Sequence, residues 1–255
     1  MTALPEGFVR LPLAHRALHD IADGRPENSR AAIRAAINFG YGIEIDVQMS
    51  SDGQAMVFHD YDLSRLTFAK GPVRLRSVAD LCALTLRGDE TQTIPTLPDV
   101  LDLVAGQIPV LIEIKDQDGA MGTDVGPLEA AVARALVDYQ GDAAVMSFNP
   151  NSVAAFGQLA PDVPRGLTTS SYELADWPLN AATCKRLREI PDFDSVGATF
   201  ISHEATDLDR PRVTTLRAAG VPVLCWTVRS AVQEAEVRQR ADNITFEGYL
   251  AAFPS

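Results

Sequence analysis

Basic residues are scarce in this chain. Its 255 residues include 22 Lys and Arg against 34 Asp and Glu, a formal charge of −12. A field of that sign repels nucleic acid and the anionic faces of membranes, and no cluster of Lys or Arg offsets it locally. Neither a nucleic-acid partner nor a stable membrane association is expected, and an anionic small molecule would need a few well-placed cations or a bound metal to hold it. Cysteine is scarcer still. Cys82, Cys184 and Cys225 are too few and too scattered for a disulfide framework or a thiolate metal site, and they read as thiols of a reducing compartment. No segment approaches ~20 uninterrupted apolar residues, and residues 1–8 lack a basic start leading into an apolar run, so the expected location is cytoplasmic.

What is present is the material of a folded α/β protein: 46% of residues are hydrophobic and 22% charged. Short apolar, β-branched runs alternate with helical patterns, the signature of a parallel sheet built from βαβ units. The predicted strands are 11–15, 42–47, 109–115, 143–148, 165–169, 195–200, 222–228 and 243–246. Between them, Asn28 or Ser29 can cap a helix that closes at Gly40, and Thr96 can cap one with Pro98 in its first turn and Gly106 past its end. Further helices are centred on 128–139, 152–159, 181–189, 210–219 and 232–240. Eight strands each followed by a helix predict a closed (β/α)8 TIM barrel spanning 1–255 as one catalytic domain, with a doubly wound open sheet as the alternative.

One segment departs from the alternation. Ser51-Asp52-Gly53-Gln54 lies between two apolar stretches, and so tight a turn joins antiparallel strands, because a parallel crossover needs a dozen residues or more. The return 55–58 then brings His59 back toward Glu44 and Asp46. Residues 60–94 have no clear period and carry turn signals at Gly71-Pro72 and Gly88-Asp89, so they are expected to form a small inserted subdomain over the same end of the barrel.

Active sites of such barrels lie at the C-terminal ends of the strands. The polar residues there are His15-Arg16, Glu44 and Asp46, His59-Asp60 on the return, and Glu113 and Lys115. Glu44 and Asp46 are two apart, so they share a face opposite Ile43, Ile45 and Val47, and Glu113 and Lys115 share one opposite Ile112 and Ile114. Three carboxylates aimed inward cost several kcal/mol each unless neutralised, and an all-oxygen set favours Mg²⁺, Ca²⁺ or Mn²⁺. A plain buried salt bridge, such as Glu44 with Lys115, is the competing explanation for any one strand. Two of the four histidines sit beside these acids and suit proton transfer at neutral pH, while Arg16 and Lys115 supply cations for a phosphate. The set points to phosphoryl transfer; His19 and His203 receive no role.

These residues resemble the glycerophosphodiester phosphodiesterase family. The matching pieces are Ala14-His15-Arg16, Pro26-Glu27-Asn28-Ser29, Ile43-Glu44-Ile45-Asp46-Val47, Asp52-Gly53, His59-Asp60 with Leu63-Ser64-Arg65 and Thr67, Ile94-Pro95-Thr96-Leu97, Ile112-Glu113-Ile114-Lys115, Ser147-Phe148 and Cys225-Trp226-Thr227-Val228. The resemblance implies a TIM barrel in which His15 and His59 are general acid and base, Glu44, Asp46 and Glu113 bind one divalent cation, Mg²⁺ or Ca²⁺, Arg16 and Lys115 hold the phosphate, and Trp226 lines the glycerol pocket or fills the barrel core. It also implies hydrolysis of glycerophosphodiesters to glycerol 3-phosphate and an alcohol. Three positions depart from the family pattern: Ala17 where Gly is usual after His-Arg, no Asp directly after Thr245 in the last strand, and His203-Glu204 without a counterpart. A phospholipase C-like or lysophospholipase D-like enzyme acting on lipids, and a barrel that binds a phosphodiester without cleaving it, are the alternatives.

Overall fold

The computed structural model describes residues 2–254. Among them, eight parallel strands run Leu13–Ala14, Gly42–Met49, Val110–Ile114, Ala143–Ser147, Arg165–Thr169, Phe200–Glu204, Val223–Val228 and Asn243–Phe246. Each pairs with the next, and the sheet closes because Leu13 is registered with both Thr245 on the last strand and Gly42 on the second. The closed (β/α)8 barrel replaces the open-sheet alternative.

Strand alternation sorts the side chains into two cores. Ile43, Ile45, Val47, Val110, Ile112, Ile114 and Val145 face outward and pack beneath the helices. Leu13, Leu111, Ala144, Met146, Phe200 and Leu224 face inward and fill the barrel from below, where Phe8 of the short helix Gly7–Arg10 joins them fully buried. Gly166 is required inside this layer, since a Cβ there would meet the Phe200 ring at 2.5 Å. The apolar lower half supports a polar upper half, so the charged inward residues sit at the C-terminal mouth.

The helices end as their sequences dictate. Ser29 caps Arg30–Phe39, accepting from the Ala32 N–H, and Gly40 closes it in the left-handed region at φ 78°. Thr96 and Asp99 form a reciprocal capping box at Leu97–Val104.

The predicted sixth strand was displaced. Residues 195–200 offered an apolar alternation of Val196, Ala198 and Phe200, but 191–197 form turns and the strand is Phe200–Glu204. Its polar residues, Ser202 and His203, are fully buried, which an apolar pattern search passes over. The last strand is followed by no helix among the described residues. Instead the tail returns past the C-terminal end of the helix Arg30–Phe39: the Tyr41 hydroxyl donates to the Ala251 carbonyl at 2.7 Å and Phe253 stacks on Tyr41.

The hairpin is present. Ala55–Val57 pairs antiparallel with Gly42–Met49, turning at Gly53 with φ 79°. Leu63, Val73, Leu81 and Ile94 pack with Phe58 into a satellite core, and residues 60–94 carry a two-stranded hairpin, Thr85–Leu86 with Asp89–Thr93.

Candidate active site

The second and third barrel strands set the acids. Asp46 is registered opposite Glu113, and Glu44 lies one inward position below Asp46. All three are buried, and one carboxylate oxygen from each lies within 4.8 Å of the others. Lys115 Nζ donates to Asp46 Oδ1 at 2.7 Å and to Glu113 Oε1 at 2.5 Å. The buried salt bridge expected as the competing explanation, Glu44 with Lys115, is thus replaced by Lys115 bridging the other two acids. Glu44 accepts instead from the Arg16 backbone N–H at 3.0 Å, and Asp46 from the Asn28 side-chain amide at 2.9 Å.

Electrostatics separate the three. Burial above all, then repulsion from Asp46 and Glu113, pushes the Glu44 carboxyl well above its ordinary range. Burial also pushes Asp46 upward, but Lys115, His59, Arg16 and His15 together outweigh it and hold that carboxyl below the usual range. Lys115 is kept charged by the same acids, against the opposing effect of its burial. Arg16 approaches Asp46 at 3.8 Å but gives its shorter contact, 2.9 Å, to Glu27. One buried carboxylate therefore lacks a full counter-charge, and Glu44 registers the deficit. A three-oxygen cluster short of positive charge fits a hard divalent cation.

Both predicted histidines face this cluster, and each ring is tethered through Nδ1 to an acid. His15 Nδ1 donates to Glu247 Oε2 at 2.5 Å, and His59 Nδ1 to Asp60 Oδ1 at 2.7 Å. Such a hydrogen bond fixes ring orientation and leaves Nε2 for a ligand. Glu247 is secured on its other oxygen by Arg229 at 2.8 Å. Asp60 is held by Arg65, which also grips Glu27, and Glu27 in turn holds Arg16, so ion pairs run from His59 to Arg16. Burial, the largest influence, lowers the His15 pKa despite the opposing bond to Glu247.

His15, Arg16, Glu44, Asp46, His59, Glu113, Lys115 and Trp226 all line one cavity of about 150 Å³, so the eight predicted residues converge. Trp226 reaches it with its indole N–H bonded to the Ser202 carbonyl at 3.0 Å and its ring edge-on to Phe148. A larger, apolar-walled cleft of about 490 Å³ adjoins it, sharing His59, Glu113, Lys115 and Phe148 and adding Tyr61, Met121 and Trp177.

Two site residues escaped the sequence reading. Glu247 comes two residues after Thr245 and not directly after it, and only the curl of the chain past the last strand brings it to His15. Asp60 was visible beside His59, but its tether to the ring was not. The departures also find physical places. Ala17 adopts φ 63° and Arg16 φ 53°, left-handed values that glycine takes freely, which is why Gly suits position 17. His203 points away from the cavity, bonded to Thr169 at 2.8 Å and Asp207 at 3.1 Å, while Glu204 is occupied by Ser170, Ser171 and Thr206 and lowered to about 2, against its burial, by those bonds.

The chain is similar to YhdW of Bacillus subtilis, 29% identical over 234 residues that cover 89% of each protein. It is similar as well to a glycerophosphodiester phosphodiesterase of Caldanaerobacter subterraneus, 32% identical over 176 residues, 66% of this chain and 70% of that one. Its fold matches an Oleispira antarctica phosphodiesterase solved with the product sn-glycerol-3-phosphate, at TM-score 0.76 and 24% identity over 93% of both chains. The model of the glycerophosphoryl diester phosphodiesterase family matches residues 15–246, from His15 through the last strand, and the chain belongs to that family.

Proposed function

We propose that this protein hydrolyses glycerophosphodiesters to glycerol 3-phosphate and an alcohol, with one divalent cation held by Glu44, Asp46 and Glu113 and with His15 and His59 moving the protons. The observation that carries the reading is the shared cavity: two imidazoles, three buried carboxylates and two cations around a space of about 150 Å³.

The bound ion would neutralise phosphate charge and polarise the P–O bonds, as hard divalent cations do in phosphoryl transfer. Arg16 and Lys115 bind the phosphate oxygens, and Trp226 closes the side where glycerol sits. His15, kept neutral by burial, suits the base: its Nε2 takes the proton of the neighbouring glycerol hydroxyl, which attacks phosphorus from within the same molecule. His59 borders both the small cavity and the apolar cleft, so it suits the acid that protonates the departing alcohol there. Water then opens the cyclic phosphate, with the two imidazoles exchanging roles.

Incubation with glycerophosphocholine and glycerophosphoethanolamine should release glycerol 3-phosphate, and His59→Ala should lower turnover by at least about a hundredfold while leaving thermal unfolding nearly unchanged. A large loss of stability with turnover retained would make His59 structural. The apolar walls of the adjoining cleft favour a second reading, a lysophospholipid substrate. Vesicles of lysophospholipid cleaved much faster than soluble glycerophosphodiesters would select it.

A further inference from the structure

A second group of ligating side chains lies behind His15. His15 Nδ1, His19 Nε2 and a Glu247 carboxylate oxygen fall within 4.8 Å of one another. Glu247 Oε2 sits between the two rings, 2.5 Å from His15 Nδ1 and 3.6 Å from His19 Nε2. The longer contact exceeds hydrogen-bond length, and His19 Nε2 is shielded from solvent without any partner. A shielded imidazole nitrogen without a partner, beside a carboxylate, is a donor free to take an ion.

The donor sets of the two clusters differ in kind. Glu44, Asp46 and Glu113 offer oxygen alone, which suits Mg²⁺ or Ca²⁺, whereas two imidazoles and one carboxylate suit Zn²⁺. Tetrahedral zinc with bonds of about 2.0–2.1 Å holds its ligand atoms roughly 3.3 Å apart. The two separations to Glu247, 2.5 and 3.6 Å, bracket that spacing, and the two ring nitrogens lie within 4.8 Å of each other, so seating the ion needs adjustments of no more than about 1.5 Å. Arg229 already fixes the other oxygen of Glu247, as outer-shell partners of metal ligands do.

The cluster also has its own entrance. His19 and Glu247 line an open cavity of about 690 Å³ that carries Asp20, Asp23 and Glu27, while His15 lines the catalytic cavity. The triad forms the wall between the two, and an ion can reach it without crossing the substrate space.

We propose that His15, His19 and Glu247 form a zinc site whose occupation switches off hydrolysis. Zinc would take the Nδ1 lone pair of His15, so the single proton of the neutral ring, which Nδ1 gives to Glu247 in the metal-free protein, would have to sit on Nε2 instead. The nitrogen facing the substrate then carries a proton and cannot accept one. Binding stands on this geometry alone, and the inhibition rests on the role proposed above for His15.

The test uses the full chain saturated with Mg²⁺ and titrated with zinc chloride, read by equilibrium dialysis and by glycerol 3-phosphate release. The wild type should retain one zinc per chain and lose activity in a way that more Mg²⁺ does not relieve. His19→Ala and His19→Gln, checked for unchanged thermal unfolding, should both need at least about tenfold more zinc for the same binding and the same inhibition. Inhibition relieved by Mg²⁺, or equal in wild type and both variants, would place zinc at the carboxylates and overturn the proposal. Zinc held through His19 without any slowing of hydrolysis would overturn the shared use of His15. His19-dependent zinc binding in a chain that cleaves no glycerophosphodiester would instead defeat the functional reading and leave this site standing.

Discussion

Replacing Glu44 by Gln separates a metal site from a structural salt bridge. The Glu44 oxygen lies within 4.8 Å of those of Asp46 and Glu113, and at an effective dielectric near 20 each like-charge pair at that distance costs about 3.5 kcal/mol. Lys115 and Arg16 offset most of this, leaving a net penalty on the order of 1–3 kcal/mol for an ionised Glu44 in the metal-free protein. Gln keeps the shape and an oxygen to accept the Arg16 N–H, but carries no charge. Because the folded-state pKa of Glu44 is raised, its contribution to stability is fully present below its unfolded value, near 4.5, and is lost as pH rises through the folded value. In chelator, the variant should therefore match the wild type in acid and exceed it increasingly toward neutral pH, by about 2–10 °C in melting temperature. With Mg²⁺ or Ca²⁺ at a thousand times its dissociation constant, the wild type should gain about 4.1 kcal/mol and overtake the variant. Differential scanning calorimetry at several pH values, with and without metal, measures both effects. A variant less stable than wild type in chelator at neutral pH would refute the reasoning, since it would mean that Glu44 stabilises the fold through its charge.

Glu247→Gln should reduce turnover by about ten- to a hundredfold, by loosening the His15 ring. Since the Glu247 bond and charge raise the His15 pKa, the acid limb of the kcat/KM profile, already below pH 6.5, should move further toward acid; a shift toward alkali would contradict this. Ala17→Gly relieves a left-handed backbone worth about 1–2 kcal/mol but loses a buried methyl of about 0.8 and adds chain entropy of 0.5–1, so urea unfolding should change by less than about 1 kcal/mol. Arg65→Met cuts the ion-pair chain between Asp60 and Glu27, and should slow turnover while the melting temperature moves little, because the Arg65 side chain is about half exposed. A drop in melting temperature without loss of turnover would assign Arg65 to stability alone.

Much of this site was legible because strand geometry is periodic. Residues two apart share a face, so Glu44 with Asp46 and Glu113 with Lys115 had to point together once the strands were found, and the Asp52-Gly53 turn brought His59 to them. The closed barrel followed from the apolar strand runs alternating with capped helices. What stayed hidden depended on chain paths with no period. Glu247 reaches His15 only through the curl after the last strand, across a sequence separation of 232 residues. The strand Phe200–Glu204 was misplaced because its inward Ser202 and buried His203 do not look like core. The partner of Lys115 was a matter of register, since Asp46 and not Glu44 lies opposite Glu113.

The proposed dependence of hydrolysis on a cation held by the carboxylates is open to one direct measurement. Chelator-stripped wild type and Glu113→Gln are titrated with Mg²⁺ and with Ca²⁺, and glycerol 3-phosphate released from glycerophosphoethanolamine is followed. The stripped wild type should be inactive and recover along a saturating curve, while the variant should stay inactive or need at least about tenfold more metal. Full turnover in chelator, or identical recovery curves for the two proteins, would contradict it.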